Sequence, residues 1–227
     1  FPLEFFLCNH QINTIIQFQA MKELHPFISF LTAALLLLLS ANTLGQNCNY
    51  TWVPQNSGIA NQLKCVKAVS ELVAWTGGAN AIVRKTTDGG ATWLNANPNT
   101  GVITGMVNCI DALDGNTAIL TSTTGGNAFI YRTTNGGVNW VNVHTAATVY
   151  FGLKMTDAQN GFAFGDPVGN FWQMLITTNG GSNWSLSPTA PQRLSNIETC
   201  LPNSFQVSLP NIWWGTRITT VYRSTNS

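Results

Sequence analysis

After residue 50 the chain consists of short apolar runs separated by turn-forming Gly, Asn, Asp and Ser. Runs of this length with such boundaries read as strands, and no stretch of the region carries the 3.6-residue spacing of an amphipathic helix. The runs come in a fixed succession. A first strand is predicted at LKCVKAV (63–69), MVNCIDAL (106–113), VYFGLKM (149–155) and IETCL (197–201). A second follows as LVAWT, TAILTS, FAFG or NIWWG, and a third as IVRK, FIYR, QMLI or TVYR. Asp114-Gly115 and Asn160-Gly161 are hairpin signals between first and second strands. TGGAN (76–80), TGGN (124–127) and DPVGN (166–170) turn the chain between second and third. A fourth strand begins at a Trp, as WLNAN, WVNV or WSLS.

The third and fourth strands are joined each time by one eight-residue pattern. It reads TTDGGATW (86–93), TTNGGVNW (133–140) and TTNGGSNW (177–184), and STNS (224–227) opens a further copy. A period of this size marks a repeat architecture. Four antiparallel strands per period is the unit of a β-propeller blade, so the fold class predicted is an all-β propeller with about four blades. Each residue of the pattern has a mechanical role. The side-chain oxygen of Asp88, Asn135 or Asn179 accepts backbone N–H groups in the turn. The glycine pairs, with Gly90, Gly137 and Gly181 second, allow positive φ. The hydroxyls of Thr86, Thr133 and Thr177 tie down the start of the turn. Trp93, Trp140 and Trp184 bury a large ring against neighbouring strands. Ser224 and Asn226 hold the first and third positions of the incomplete copy. The segment YTWVPQNSG around Trp52 reads as an orphan fourth strand, which makes a closed four-bladed ring arithmetically available. The expectation favoured is an open part of a larger ring.

Charged residues make up only 8% of the chain and the formal charge is +1, which leaves no basic field for nucleic acid. Met21-Lys22 followed by the apolar Phe27–Leu39 and Thr43-Leu44-Gly45 has the form of a secretory signal peptide cleaved before Gln46. The apolar run is shorter than the roughly 20 residues of a membrane span. The domains expected are therefore an upstream, non-native segment at 1–20, a signal peptide at 21–45 and a partial propeller at 46–227. The location expected is extracellular, cell-surface or periplasmic, with no membrane span after cleavage. Export permits disulfides among Cys48, Cys65, Cys109 and Cys200. Cys109 and Cys200 each lie 24 residues before the first residue of their pattern copy, so buried thiols at equivalent blade positions are the equal alternative.

The pattern Thr-x-Asp/Asn-x-Gly-x-x-Trp resembles the Asp-box, or bacterial neuraminidase repeat (BNR). In that family the box is structural and lies away from active sites. Over most of residues 50–227, phrases such as WVPQNSG, GFAFGDPVGNFW, IYRTTNGGVNW and IWWGTRITTVYRSTN resemble the photosystem II stability/assembly-factor-like family of exported bacterial propellers. That resemblance implies a binding scaffold rather than a photosynthetic role.

Sialidases share the box, and their chemistry needs an arginine cluster, a Tyr nucleophile with a partner Glu, and an acidic Asp. Here Arg132 and Arg223 precede their pattern copies, with Lys85 in the same place, which points to a repeated structural role. The Arg-Ile-Pro signature of sialidases is missing. Other glycosidases need two opposed carboxylates. Asp111 and Asp157, on or just after first strands, are the candidate binding acids, since those strands lie nearest a propeller's axis; the favoured reading of both is a solvated strand-end carboxylate. Trp172 and Trp214 are the aromatic candidates for stacking on a ligand, whereas Trp213 aligns with Trp75 and is assigned to the core. His144 follows the signal segment without a Cys or His cluster, so no zinc site, triad or other metal site is predicted. No catalytic residue and no cofactor is assigned. The function expected is an exported, non-catalytic scaffold binding protein or carbohydrate at the cell surface or envelope. The alternative is a sialidase- or xyloglucanase-like glycoside hydrolase.

Overall fold

A computed structural model describes residues 51–99 and 101–224. The chain divides into two units, Phe1–Val53 and Pro54–Ser227. Of the first only residues 51–53 are described, and they form no strand. The signal segment, Cys48 and Asn226 lie outside the described residues.

The second unit is a four-bladed β-propeller of small antiparallel sheets. Blade 1 is β1 (Leu63–Ala68), β2 (Ala74–Gly78), β3 (Val83–Thr86) and β4 (Leu94–Asn95). Blade 2 is β5 (Met106–Ala112), β6 (Ala118–Thr124), β7 (Asn127–Thr133) and β8 (Val141–Ala146). Blade 3 is β9 (Tyr150–Met155), β10 (Gly161–Val168), β11 (Phe171–Thr177) and β12 (Ser185–Leu186). Blade 4 has three described strands, β13 (Cys200–Ser208), β14 (Asn211–Thr216) and β15 (Val221–Ser224). Strands pair in chain order within each sheet. Between sheets, β1 and β2 pack on β5, β5 and β6 on β9, and β9 and β10 on β13.

Two strand expectations need correction. The first strand of blade 4 is not IETCL but Cys200–Ser208. Pro202 and Asn203, residue types that favour turns, form an irregularity inside the strand. Asn203 has φ 62° and the register shifts between Cys200 and Phe205. Beyond it Phe205 and Val207 pack against the blade 3–4 core. The second correction concerns Trp52, which lies in a strandless stretch at 91% exposure. Gln55, nearby in sequence, reaches blade 1 through its side chain instead, donating from Nε2 to the Gly89 carbonyl at 2.9 Å.

The eight-residue turns are closed by one repeated set of bonds. Thr86, Thr133 and Thr177 donate from Oγ1 to the Oδ1 of Asp88, Asn135 and Asn179 at 2.7, 3.0 and 3.0 Å. The same hydroxyls accept the N–H of Gly90, Gly137 and Gly181 at 2.8, 3.1 and 3.0 Å. Each Oδ1 also accepts the N–H of the residue before the Trp, at 2.9, 2.9 and 3.0 Å. Asp and Asn close the turn alike because the shared bonds use one acceptor oxygen, to which Asp88 adds a bond from the Thr92 hydroxyl to Oδ2 at 2.6 Å. In Asp88 the Thr92 hydroxyl and N–H, then the Thr86 hydroxyl, hold the carboxyl down at about 2. At Gly137, φ is +86° and an added Cβ would run into the Ala96 carbonyl of the preceding blade, so glycine serves both the turn and the close approach.

The clip tryptophan docks each blade on the one before it. Trp140 stands edge-on to Trp75, 6.2 Å between ring centres, and donates to the Ala96 carbonyl at 2.8 Å. Trp184 is buried with Ile119 and Ile130 of blade 2. Trp93 is only half-buried, because no blade precedes blade 1 in the described residues. The residue just before the clip adds a strut to the next blade. Lys85 Nζ donates to the Gly115 and Gly136 carbonyls at 3.0 and 3.2 Å. Arg132 Nε donates to the Gly180 carbonyl at 2.7 Å.

Trp140→Ala therefore destabilises the fold by about 3–5 kcal/mol, and Trp93→Ala by clearly less. Urea unfolding of both variants checks the order, and equal losses would refute docking through the clip ring. The pH response is also specific. Asp88 is depressed in the folded state, so its stabilisation is present above the unfolded value of about 3.9. It is lost as pH falls through about 2. Asp88→Asn removes that part of the acid sensitivity, read as the difference between the two proteins' melting temperatures from pH 5 to pH 2.

Candidate functional site

The four inner strands β1, β5, β9 and β13 surround a cavity of about 350 Å³. All four blades contribute to it, which no other described pocket shares. Its chemistry is carried by Lys64, Asn108, Phe151, Lys154, Phe205 and Gln206. Lys64 Nζ donates to Asn108 Oδ1 at 2.8 Å and lies 5.1 Å over the Phe151 ring. Asn108 is held in turn by donating from Nδ2 to Thr123 Oγ1 at 2.7 Å. Neither Lys64 nor Lys154 makes an ion pair among the described residues, and the lining contains no Asp or Glu. Two ammonium groups in a partly enclosed, low-dielectric recess favour an anion. A larger cavity of about 450 Å³, lined by Asn80, Arg84 and Asn97 among others, belongs to loops and strand ends of blade 1 and the residues 101–105 that lead to blade 2.

The cavity's thiols are inert. Burial, with Cys109 adding to it, pushes the Cys65 thiol up to about 12. Burial does the same to Cys109, also to about 12. Burial first, then the Asp166 carboxylate, raises Cys200 as well. All three are free thiols. Cys65 faces Gly77, which faces Val83, and Cys109 faces Thr121, which faces Ile130, so Cys65 and Cys109 hold equivalent places across the register. Cys200 faces Thr216, because the irregularity in β13 displaces it.

The sequence-derived acids lie elsewhere. Asp111 is 3% exposed and fully engaged. It forms an ion pair with Lys67 at 2.7 Å, and its Oδ2 accepts the Met155 N–H at 2.7 Å. It thereby ties blades 1, 2 and 3 together instead of facing the channel. Asp157 is exposed in the β9–β10 hairpin, where its Oδ1 accepts the N–H groups of Gln159 and Asn160 at 2.7 and 2.8 Å. The Asn160 side chain and these N–H groups lower its carboxyl. Asp114 makes the same turn in blade 2.

The tryptophans reverse their expected places. Trp172 and Trp214 are 0% and 3% exposed and share the blade 3–4 core with Phe164. Trp213 is 41% exposed, with the Arg223 guanidinium 4.8 Å over its ring. Trp213 keeps the register place of Trp75, opposite the residue before the clip, but among the described residues no following blade covers it, whereas Trp214 packs against blade 3. Beneath this core Tyr222 donates to Glu198 Oε2 at 2.8 Å. Burial works against the Glu198 charge, yet bonds from Tyr222, Thr220, Leu194 and Ser195 hold its carboxyl below the usual range. This is the Tyr–Glu pairing that sialidase chemistry uses, but Glu198 is 1% exposed and Tyr222 is stacked on Trp214 at 4.9 Å. Arg132 is committed to Gly180, and Arg223 to Trp213 and Asn211. Among the described residues no cluster of three His, Cys, Asp or Glu side chains is placed to hold a metal. His144 hydrogen-bonds Tyr150 Oη at 3.0 Å, and burial lowers its imidazole.

Lys64, Phe151, Lys154, Phe205 and Gln206 are not singled out by the sequence. The signal available was the recurrence of Lys64, Asn108, Lys154 and Gln206 inside otherwise apolar inner strands.

The structure of YCF48 from Cyanidioschyzon merolae supports the fold. It is similar with a TM-score of 0.51 and 15% identity over 78% of this chain and 59% of that one. A structure of YCF48 bound to D1 peptide gives 0.48 and 18%, covering 77% and 57%. The Niastella koreensis GH74 enzyme gives 0.49 and 19%, covering 72% and 23%. This chain thus spans less than two thirds of each of these proteins. No protein-family model and no curated protein sequence matches it.

With Cys200 buried and the partly buried Cys65 and Cys109 held as neutral thiols, iodoacetamide at pH 8 labels all three far more slowly in the folded protein than in guanidinium. Mass spectrometry of the intact chain reads this directly, and rapid labelling of Cys65 in the folded state would contradict the burial argument.

Proposed function

We propose that this chain is an exported, non-catalytic propeller scaffold that binds a carboxylate-bearing segment of a partner protein in its axial cavity. The observation that supports it is the cavity lining: Lys64 and Lys154 with amide and aromatic neighbours, and no acidic residue. A volume of about 350 Å³ lies near the lower end of the roughly 300–1,000 Å³ of ligand pockets. It takes one or two side chains, not a folded surface. Phe151 and Phe205 supply the apolar contact area and Asn108 and Gln206 the hydrogen bonds that orient a ligand. The export reading rests on residues 21–45, and the turns read as Asp-boxes of the structural kind. Among the described residues no helix is long and apolar enough to cross a membrane.

Lys64→Glu and Lys154→Glu reverse the charge of the cavity wall. Each is expected to weaken binding of an acidic peptide roughly tenfold or more, with the melting temperature close to that of the parent. Fluorescence anisotropy with poly-glutamate peptides and with an acidic oligosaccharide measures it. Preference for the oligosaccharide would move the ligand from protein to glycan. Turnover of a sialoside or β-glucan, lost on changing one carboxylate, would replace the scaffold with a hydrolase.

A further inference from the structure

The inner strands β1, β5, β9 and β13 all break register at one level. In blade 1 Leu63 faces Gly78 and Cys65 faces Gly77, so Lys64 is an extra residue. Asn108 is extra in the same way between Val107 and Cys109, and Phe151 between Tyr150 and Gly152. In blade 4 the break is larger. There residues 201–204 lie opposite Gly215 alone, between the Cys200–Thr216 and Phe205–Trp214 pairs. The levels match across the sheets. Gly77, Thr121, Phe164 and Gly215 each face the third-strand residue two places before Lys85, Arg132, Ile176 and Arg223.

A bulge re-aims a side chain and recurs beside binding sites. Here each bulge supplies a wall of the axial cavity: Lys64, Asn108, Phe151 and Asn203. The first three hold one another, through the Lys64–Asn108 bond at 2.8 Å and the ammonium 5.1 Å over the Phe151 ring. A second Lys64 N–H meets Met106 Sδ at 3.4 Å, which leaves the third for a ligand. Asn203 has the left-handed φ of 62°, which Asn and Asp tolerate better than other side chains. The Ser204 hydroxyl closes its bulge by donating to the Leu201 carbonyl at 2.7 Å. The Asn203 carboxamide itself is exposed and makes no hydrogen bond among the described residues.

We propose that this bulge layer sets the specificity of the axial cavity: Lys64 takes the side-chain carboxylate of an acidic residue, and Asn203 pairs with the peptide group beside it. The inference rests on the carboxylate-binding reading above and narrows its ligand to an acidic residue within a peptide, as against a free carboxylate. A carboxamide offers both donor and acceptor, the complement of a peptide C=O and N–H. Phe151 gives the methylene stem of the acid an apolar wall.

The test is fluorescence anisotropy of the full chain with fluorescein-labelled, C-terminally amidated Gly-Gly-Glu-Gly-Gly. Butyrate, the glutamate side chain without its peptide group, competes at constant ionic strength. Asn203→Gly keeps the left-handed backbone and removes only the carboxamide. It is expected to weaken the peptide roughly tenfold and leave butyrate unchanged. Asn203→Asp also suits the backbone, and its added charge is expected to weaken both ligands. Lys64→Met is expected to lose both. If the parent binds the peptide and Asn203→Gly leaves the peptide-to-butyrate ratio unchanged, the specificity layer is overturned and the carboxylate site stands. If the parent binds no peptide, the carboxylate reading falls and this inference with it.

Discussion

The docking of one clip tryptophan on the preceding blade is the contact on which the rest of the propeller depends. A small four-stranded sheet cannot bury its own faces, so its stability comes from the neighbour. Trp140 supplies that contact with a ring edge against Trp75 and an N–H on Ala96. The turn that carries it must then be rigid, and the Thr–Asp/Asn–Gly bonds make it so. The glycine that permits the turn also permits the close approach to Ala96. One residue type thus meets a local and a tertiary demand together.

The blade junctions also engage several of the chain's few charges. Lys85 and Arg132 are spent on backbone carbonyls of the next blade, and Lys67 and Asp111 neutralise each other between blades. The charges left over on the inner strands, Lys64 and Lys154, have no carboxylate partner. They stand out because everything around them is satisfied. The ring's mechanics use most of the polar groups, and what the mechanics leave unpaired is where binding is to be sought.

Legibility followed the range of the interactions. The turn bonds run between residues two to four apart, so Thr86, Asp88 and Gly90 could be assigned from the pattern itself. Strand succession was equally legible in blades 1 to 3, because period-two alternation and Gly-rich turns are local. The first strand of blade 4 was not, since Pro202 and Asn203 carry loop chemistry and only the packing of Phe205 and Val207 keeps them in a strand. Asp111 gave no local sign that Lys67 and Met155 would claim it, for the second of these is 44 residues away.

The sequence by itself determined the blades: their number, their strand order and the clips, because these are set by short-range periodicity and turn stereochemistry. Only the tertiary structure decided which face each side chain met. A single irregularity in β13 left Cys200 out of register with Cys109. Register within a strand depends on every residue before it, and an irregularity displaces what pairs across it. Trp213 keeps the register of Trp75 but is exposed because no following blade covers it among the described residues, while Trp214 is buried against blade 3. The axial lysines, 90 positions apart in the chain, line one cavity only because the blades are arranged about a common axis.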